Sequence, residues 1–173
     1  MRQRFRPLAS GAGLRTMAAM PDSTPQHDAG EDFDRKDPAA YPYWKRDILR
    51  WGDCDSLGHI NNVVFARFFE SGRIAFMNDL GVGEGELDAD DFVIAHLSID
   101  FLAEMHYPGE VRTGVRVLRI GRSSLRLAEA IFVDGTCYGC GDAVLVRVGR
   151  KSGRAEPLPA TLKARLLDPP AGD

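Results

Sequence analysis

A chain of 173 residues, 44% of them hydrophobic and with a formal net charge of −3, reads as one domain with a modest core. That balance excludes a basic nucleic-acid binder and an acidic disordered tail, and no apolar run approaches the roughly 20 residues of a membrane-spanning helix. The cysteines, Cys54, Cys137 and Cys140, are odd in number and irregular in spacing, which predicts free thiols in a reducing compartment.

The first 20 residues carry Arg2, Arg4, Arg6 and Arg15 and no acid, and Pro7, Pro21 and Pro25 interrupt regular structure. Three readings fit: a disordered leader or upstream sequence ahead of a true start at Met17 or Met20, both of which go with a cytoplasmic protein, or a transit peptide leading to the mitochondrial matrix. Residues 26–42 are charged and nearly free of aliphatic side chains, so residues 1–42 are expected to be leader and linker. The domain is expected to span 43–167 and the disordered tail 168–173.

Lys45–Trp51 predicts a first strand. A helix is predicted from about Asn62 to Leu80, with Asn61 or Asn62 as cap and Gly81 as stop. The Gly- and acid-rich stretch after Gly81 reads as a loop. Four strands are then predicted, over Phe92–Met105, Glu110–Ile120, Ser124–Val133 and Thr136–Val148, the last two joined by an Asp134–Gly135 hairpin turn. One nearly all-apolar helix beside a long antiparallel sheet belongs to the α+β class, with the helix lying across the sheet's concave face. The helix is apolar on more than one side and the domain is small, both of which predict a dimer.

The chemistry concentrates in Arg50–Arg73, where Asp53 and Asp55 flank Cys54 and Gly58 permits a tight turn directly ahead of the helix. A helix start offers free N–H groups and a positive dipole end, which favour negative charge growing on a substrate oxygen. An aspartate also commonly closes a turn by itself, and by pattern alone that is the commoner use of Asp53 and Asp55. The DxDxxG pattern echoes a calcium loop, but the twelfth position from Asp53 is Val64, with no carboxylate to close it.

DCDSLGHINN leading into VVFARFFESGR, with FLAEMHYPGEV, LRIGRSSL and AVLVRV further on, resembles the hotdog-fold acyl-CoA thioesterases of the 4-hydroxybenzoyl-CoA thioesterase group. The resemblance covers Tyr43 to about Pro159. It implies a long central helix wrapped by an antiparallel sheet, two subunits pairing into a continuous sheet as a homodimer or within a homotetramer, and hydrolysis of an acyl-CoA substrate at their interface without metal or other cofactor. It also makes Asp55 the carboxylate that attacks the thioester or activates water. Asn62 then supplies the N–H facing the carbonyl oxygen, and Gly58 and His59 shape the turn. In a related branch the carboxylate stands on the helix, where Glu70 is the candidate. Arg119, Arg122, Ser123 and Ser124 occupy the segment that contacts coenzyme A in relatives, although Gly121 and Ser123 replace basic residues found in the best-known member.

Other features have plain structural readings. Cys137 and Cys140 form a lone CxxC inside a strand pattern, which is packing more often than metal or redox chemistry. His96 and His106 read as packed or hydrogen-bonded, with His96 also a candidate for the acyl pocket. Glu70 and Arg73, one turn apart, are expected to pair with each other. Two other functions remain as alternatives: a non-catalytic acyl-CoA or acyl-carrier binding module, and a hotdog hydratase using Asp55 with His59.

Overall fold

The computed structural model describes residues 32–83 and 92–172. Five strands form one antiparallel sheet: β1 (Tyr43–Ile48), β2 (Phe92–Phe101), β3 (Glu110–Ile120), β4 (Ser124–Val133) and β5 (Thr136–Arg147), in the order β1-β3-β4-β5-β2. Helix α1 (Asn62–Asp79) packs across β1, β3, β4 and β2, and α2 (Ala160–Leu167) follows the sheet.

Asn61 caps α1, its Oδ1 accepting the Val63 N–H at 3.0 Å, and Gly81 at φ +78° takes the left-handed conformation just past its end. The buried face of α1 divides between two clusters. Phe65, Phe68 and Phe69 pack with Leu49, Ile60, Met105 and Val111 at one end, while Phe76 and Met77 pack with Tyr43, Leu125, Leu145 and Leu162 at the other. Between them Gly72 lets the helix sit close to the sheet, since a Cβ there would lie 2.7 Å from Thr113 Cγ2. Val63 and Ile74 lie on the outer side of α1 and remain exposed.

The core strands β3 and β4 match their predicted bounds, β5 ends one residue early at Arg147, and β1 and β2 shift for identifiable reasons. β1 spans Tyr43–Ile48 rather than Lys45–Trp51 because its partner β3 begins at Glu110, opposite Ile48, and Trp51–Asp53 instead make a 3-10 turn. β2 ends at Phe101, four residues early, where the Leu102 and Ala103 N–H groups both turn to the Tyr138 carbonyl. Residues 84–91 of the predicted acidic loop lie outside the described residues.

The ends of the domain are more structured than their composition predicts. Within the segment read as linker, residues 32–42 lie on the outer face of the sheet: Tyr41 is buried among Leu118, Ala128, Ala130 and Phe132, and Phe33 packs against the same cluster. Arg35 pairs with Asp142 at 2.8 Å, and Arg116 donates to the Ala40 carbonyl. The tail is tied down as well, with the Trp44 N–H donating to the Ala171 carbonyl and Gly172 bridging Trp44. Helix α2 lies beyond the predicted elements; Pro159 ahead of Leu162 and Leu166, both buried, carries its signal. Its Arg165 donates to the Leu80 carbonyl at 2.7 Å and so places a cation at the C-terminal end of α1.

Candidate active site

Everything between β1 and α1 is built to hold one loop. The Cys54–Ile60 bridge closes it, the Asp55 N–H donates to the His59 carbonyl, and the Gly58 N–H donates to the Asp55 carbonyl. Gly58 sits at φ +87°, a conformation that a side chain would strain. The Ile60 N–H donates to Met105 and the Asn61 N–H to the Asp53 carbonyl, fixing where the helix begins.

The two aspartates have different surroundings. Asp53 is only 5% exposed, accepts the Arg50 N–H at 3.0 Å and takes the Arg67 guanidinium at 2.7 Å, so both oxygens are committed to holding the loop on the helix. Asp55 keeps a side-chain exposure of 21%; its Oδ1 accepts the Leu57 N–H at 2.8 Å and its Oδ2 lies 3.4 Å from His59 Nδ1. His106 Nδ1 approaches the Gly58 carbonyl at 3.3 Å, and the His59 and His106 ring centroids are 6.4 Å apart. At the helix start the N–H of Asn62 meets no acceptor among the described residues. Asp55, Gly58, His59 and Asn62 thus share one loop and one helix end.

The remaining candidates stand elsewhere. Glu70 is exposed, eight residues further along α1, about 12 Å up the helix. It does not pair with Arg73: that guanidinium turns inward to Glu129 on β4 at 2.8 Å, because a cation buried under the helix requires a buried carboxylate. Arg119, Arg122, Ser123 and Ser124 lie at the β3–β4 turn, whereas the Asp55 loop meets the opposite end of β3, where the Leu49 N–H donates to Gly109. An eleven-residue strand of roughly 3.3 Å per residue puts the two groups on the order of 30 Å apart within one chain. Arg122 is exposed; the carbonyls of Arg122 and Ser123 anchor Leu158 and Arg147. His96 is exposed on the edge strand β2, away from the Asp55 loop.

Cys137 and Cys140 both pack in the outer-face cluster beneath Tyr41. Burial raises both thiols, Cys137 to about 11, which keeps them protonated and unreactive. Among the described residues no three His, Cys, Asp or Glu side chains converge as metal ligands.

The architecture is the hotdog fold, one long helix held in a five-stranded antiparallel sheet, and the class of protein it defines here is a thioester hydrolase. The chain belongs to the thioesterase-like superfamily, which residues 49–166 match. It is similar to a thioesterase from Thermus thermophilus, solved in complex with coenzyme A and zinc, at 34% identity and a TM-score of 0.66, covering 73% of this chain and 92% of that one. A thioesterase superfamily structure from Jannaschia sp. CCS1 is 26% identical with a TM-score of 0.69, covering 76% and 84% of the two chains. An uncharacterised protein of Bacillus subtilis (strain 168), YsmA, is 28% identical over 117 residues, 67% of this chain and 79% of that one.

Proposed function

We propose that the protein hydrolyses acyl-CoA thioesters at the Asp55 loop. The observation that carries this reading is the partly exposed Asp55 carboxylate one loop ahead of the unmatched Asn62 N–H at the start of α1. Asp55 takes a proton from water as the water oxygen adds to the thioester carbon; alternatively its own oxygen adds, giving a mixed anhydride that water then opens. In both routes negative charge collects on the carbonyl oxygen, where the Asn62 N–H and the dipole of α1 stabilise it. Collapse expels the coenzyme A thiolate, which takes up a proton, and the free acid leaves.

Coenzyme A as the thiol half is supported by the Thermus thioesterase that binds it. Arg119 and Arg122 would meet its phosphates and Ser123 and Ser124 its pantetheine arm. Because those residues are a strand's length from Asp55 in one chain, the site is completed by a second copy. The edge strand β2, with Val93, Ile94, Leu97 and Phe101 exposed, offers that copy an apolar edge to pair with. The reading therefore includes a homodimer.

Thiol release from a panel of short, long and aromatic acyl-CoAs tests the proposal, with Asp55→Asn beside the wild type and with and without EDTA. Hydrolysis that falls at least a hundredfold in Asp55→Asn and is unmoved by EDTA is expected. The Asp55–His59 approach also fits a hydratase, which would consume an enoyl-CoA while releasing no thiol.

A further inference from the structure

The chain has two tryptophans, and they sit in opposite environments. Trp44 lies on the outer face, with the Arg112 guanidinium 4.2 Å over its ring and Phe132 edge-on at 5.4 Å. Trp51 is 76% exposed, and its one aromatic neighbour among the described residues is Tyr107, edge-on at 5.8 Å and itself exposed. An indole left in water costs apolar burial that nothing in this part of the fold recovers.

Both members of the pair are attached to the Asp55 loop. Trp51 opens the 3-10 turn, and its carbonyl accepts the Cys54 N–H, one residue before Asp55. Tyr107 follows His106, whose Nδ1 approaches the Gly58 carbonyl inside the same loop. Leu57, 77% exposed, adds a third apolar side chain two residues past Asp55. The loop that carries Asp55 thus carries or adjoins three exposed apolar side chains, with the exposed Arg50 beside Trp51 and the Glu104–His106 pair beside Tyr107.

A thioester held at Asp55 sends two arms away from its carbonyl carbon. The thiol arm carries amides, hydroxyls and phosphates, and its adenine ring lies beyond the phosphates that the reading gives to Arg119 and Arg122; next to the carbonyl, the acyl arm is the apolar one. We propose that Trp51, braced edge-on by Tyr107, receives the acyl group and makes the enzyme prefer bulky apolar acyl groups over acetyl. This inference rests on the hydrolase reading of the Asp55 loop. Apolar contact of this kind discriminates by roughly ten- to a hundredfold, the range that even one methylene sets in a closed pocket and that an open surface reaches only with a longer acyl group.

Trp51 also reports on itself, because an exposed indole shifts its emission to the blue when covered. Wild type, Trp51→Phe and Trp51→Ala are titrated with the non-hydrolysable thioether analogue of octanoyl-CoA and with coenzyme A alone, and kcat/KM is measured on octanoyl-CoA and acetyl-CoA. Expected are a blue shift with the octanoyl analogue, none with coenzyme A, and no shift in Trp51→Phe. The octanoyl-to-acetyl ratio of kcat/KM should fall roughly tenfold in Trp51→Ala and less in Trp51→Phe. Equal losses on both substrates, the same shift with coenzyme A alone, or a shift that follows protein concentration without ligand would each overturn the proposal. If the wild type hydrolyses nothing but the octanoyl analogue still covers Trp51, the acyl contact stands and the hydrolase reading fails.

Discussion

Arg73 donates to the Glu129 carboxylate across 2.8 Å, joining the middle of α1 to β4 at a point where Glu129 is wholly buried. The second carboxylate oxygen, Oε1, has no partner among the described residues. A buried pair of this kind holds register more than it adds stability, and the penalty appears when one member is removed. Arg73→Ala is expected to cost about 3–5 kcal/mol by denaturant unfolding, whereas Arg73→Met combined with Glu129→Leu should unfold near the wild type or above it. A single variant no worse than the double would show that the pair is idle.

The same pair sets a pH dependence. Burial raises the Glu129 carboxyl from its ordinary 4.5 to about 7, against the pull of Arg73. The folded chain therefore holds this proton more tightly than the unfolded chain. The resulting stability is fully present below about 4.5 and is lost as pH rises through about 7. Unfolding at acidic and mildly alkaline pH across that window should differ by on the order of 3 kcal/mol from this group, and Glu129→Gln should remove that slope. An unchanged slope in the variant would assign the dependence to other groups.

Asp53 and Asp55 should separate cleanly by experiment. Asp53→Ala strands the Arg50 N–H and releases Arg67, so it is expected to cost about 1–3 kcal/mol of stability. Asp55→Asn retains an oxygen for the Leu57 N–H and should unfold within about 0.5 kcal/mol of wild type while losing the chemistry. Thermal unfolding and thiol release on both variants check this, and a reversed pattern would exchange the two roles.

Gly72 lies mid-helix, where alanine would ordinarily gain up to about 1 kcal/mol. Here Gly72→Ala should instead destabilise by about 1–3 kcal/mol, since the new Cβ meets the Thr113 methyl at 2.7 Å. Thr113→Ser removes that methyl and should recover most of the loss in the double variant. Failure to recover would place the clash elsewhere along α1.

Periodicity and caps made α1 readable from the sequence almost to the residue, because Asn61 and Gly81 act on N–H and C=O groups within a few positions of themselves. The alternation in Glu110–Ile120 and Ser124–Val133 did the same for β3 and β4, which have sheet partners on both sides. Polar composition misled at residues 32–42. Their few apolar side chains, Phe33 and Tyr41, bury on a sheet face more than 70 residues away in sequence, and no local pattern reports that. Similarly, the proximity of Glu70 to Arg73 along the helix suggested a pair, but the low dielectric beneath α1 selected Glu129, 56 residues on.

By itself the sequence determined α1, the strands β3 and β4, the turn that carries Asp55 and the family pattern, since all of these are written in residues a few places apart. The resemblance already set Asp55 apart from Asp53; the tertiary structure supplied what holds them, the Arg50 N–H and Arg67 on a buried Asp53 and the Leu57 N–H on a partly open Asp55, and put Arg119–Ser124 a full strand away from Asp55. It also decided that Trp51 stands exposed on the loop that carries Asp55. Each of these depends on burial and on long-range pairing, which arise only when distant segments meet.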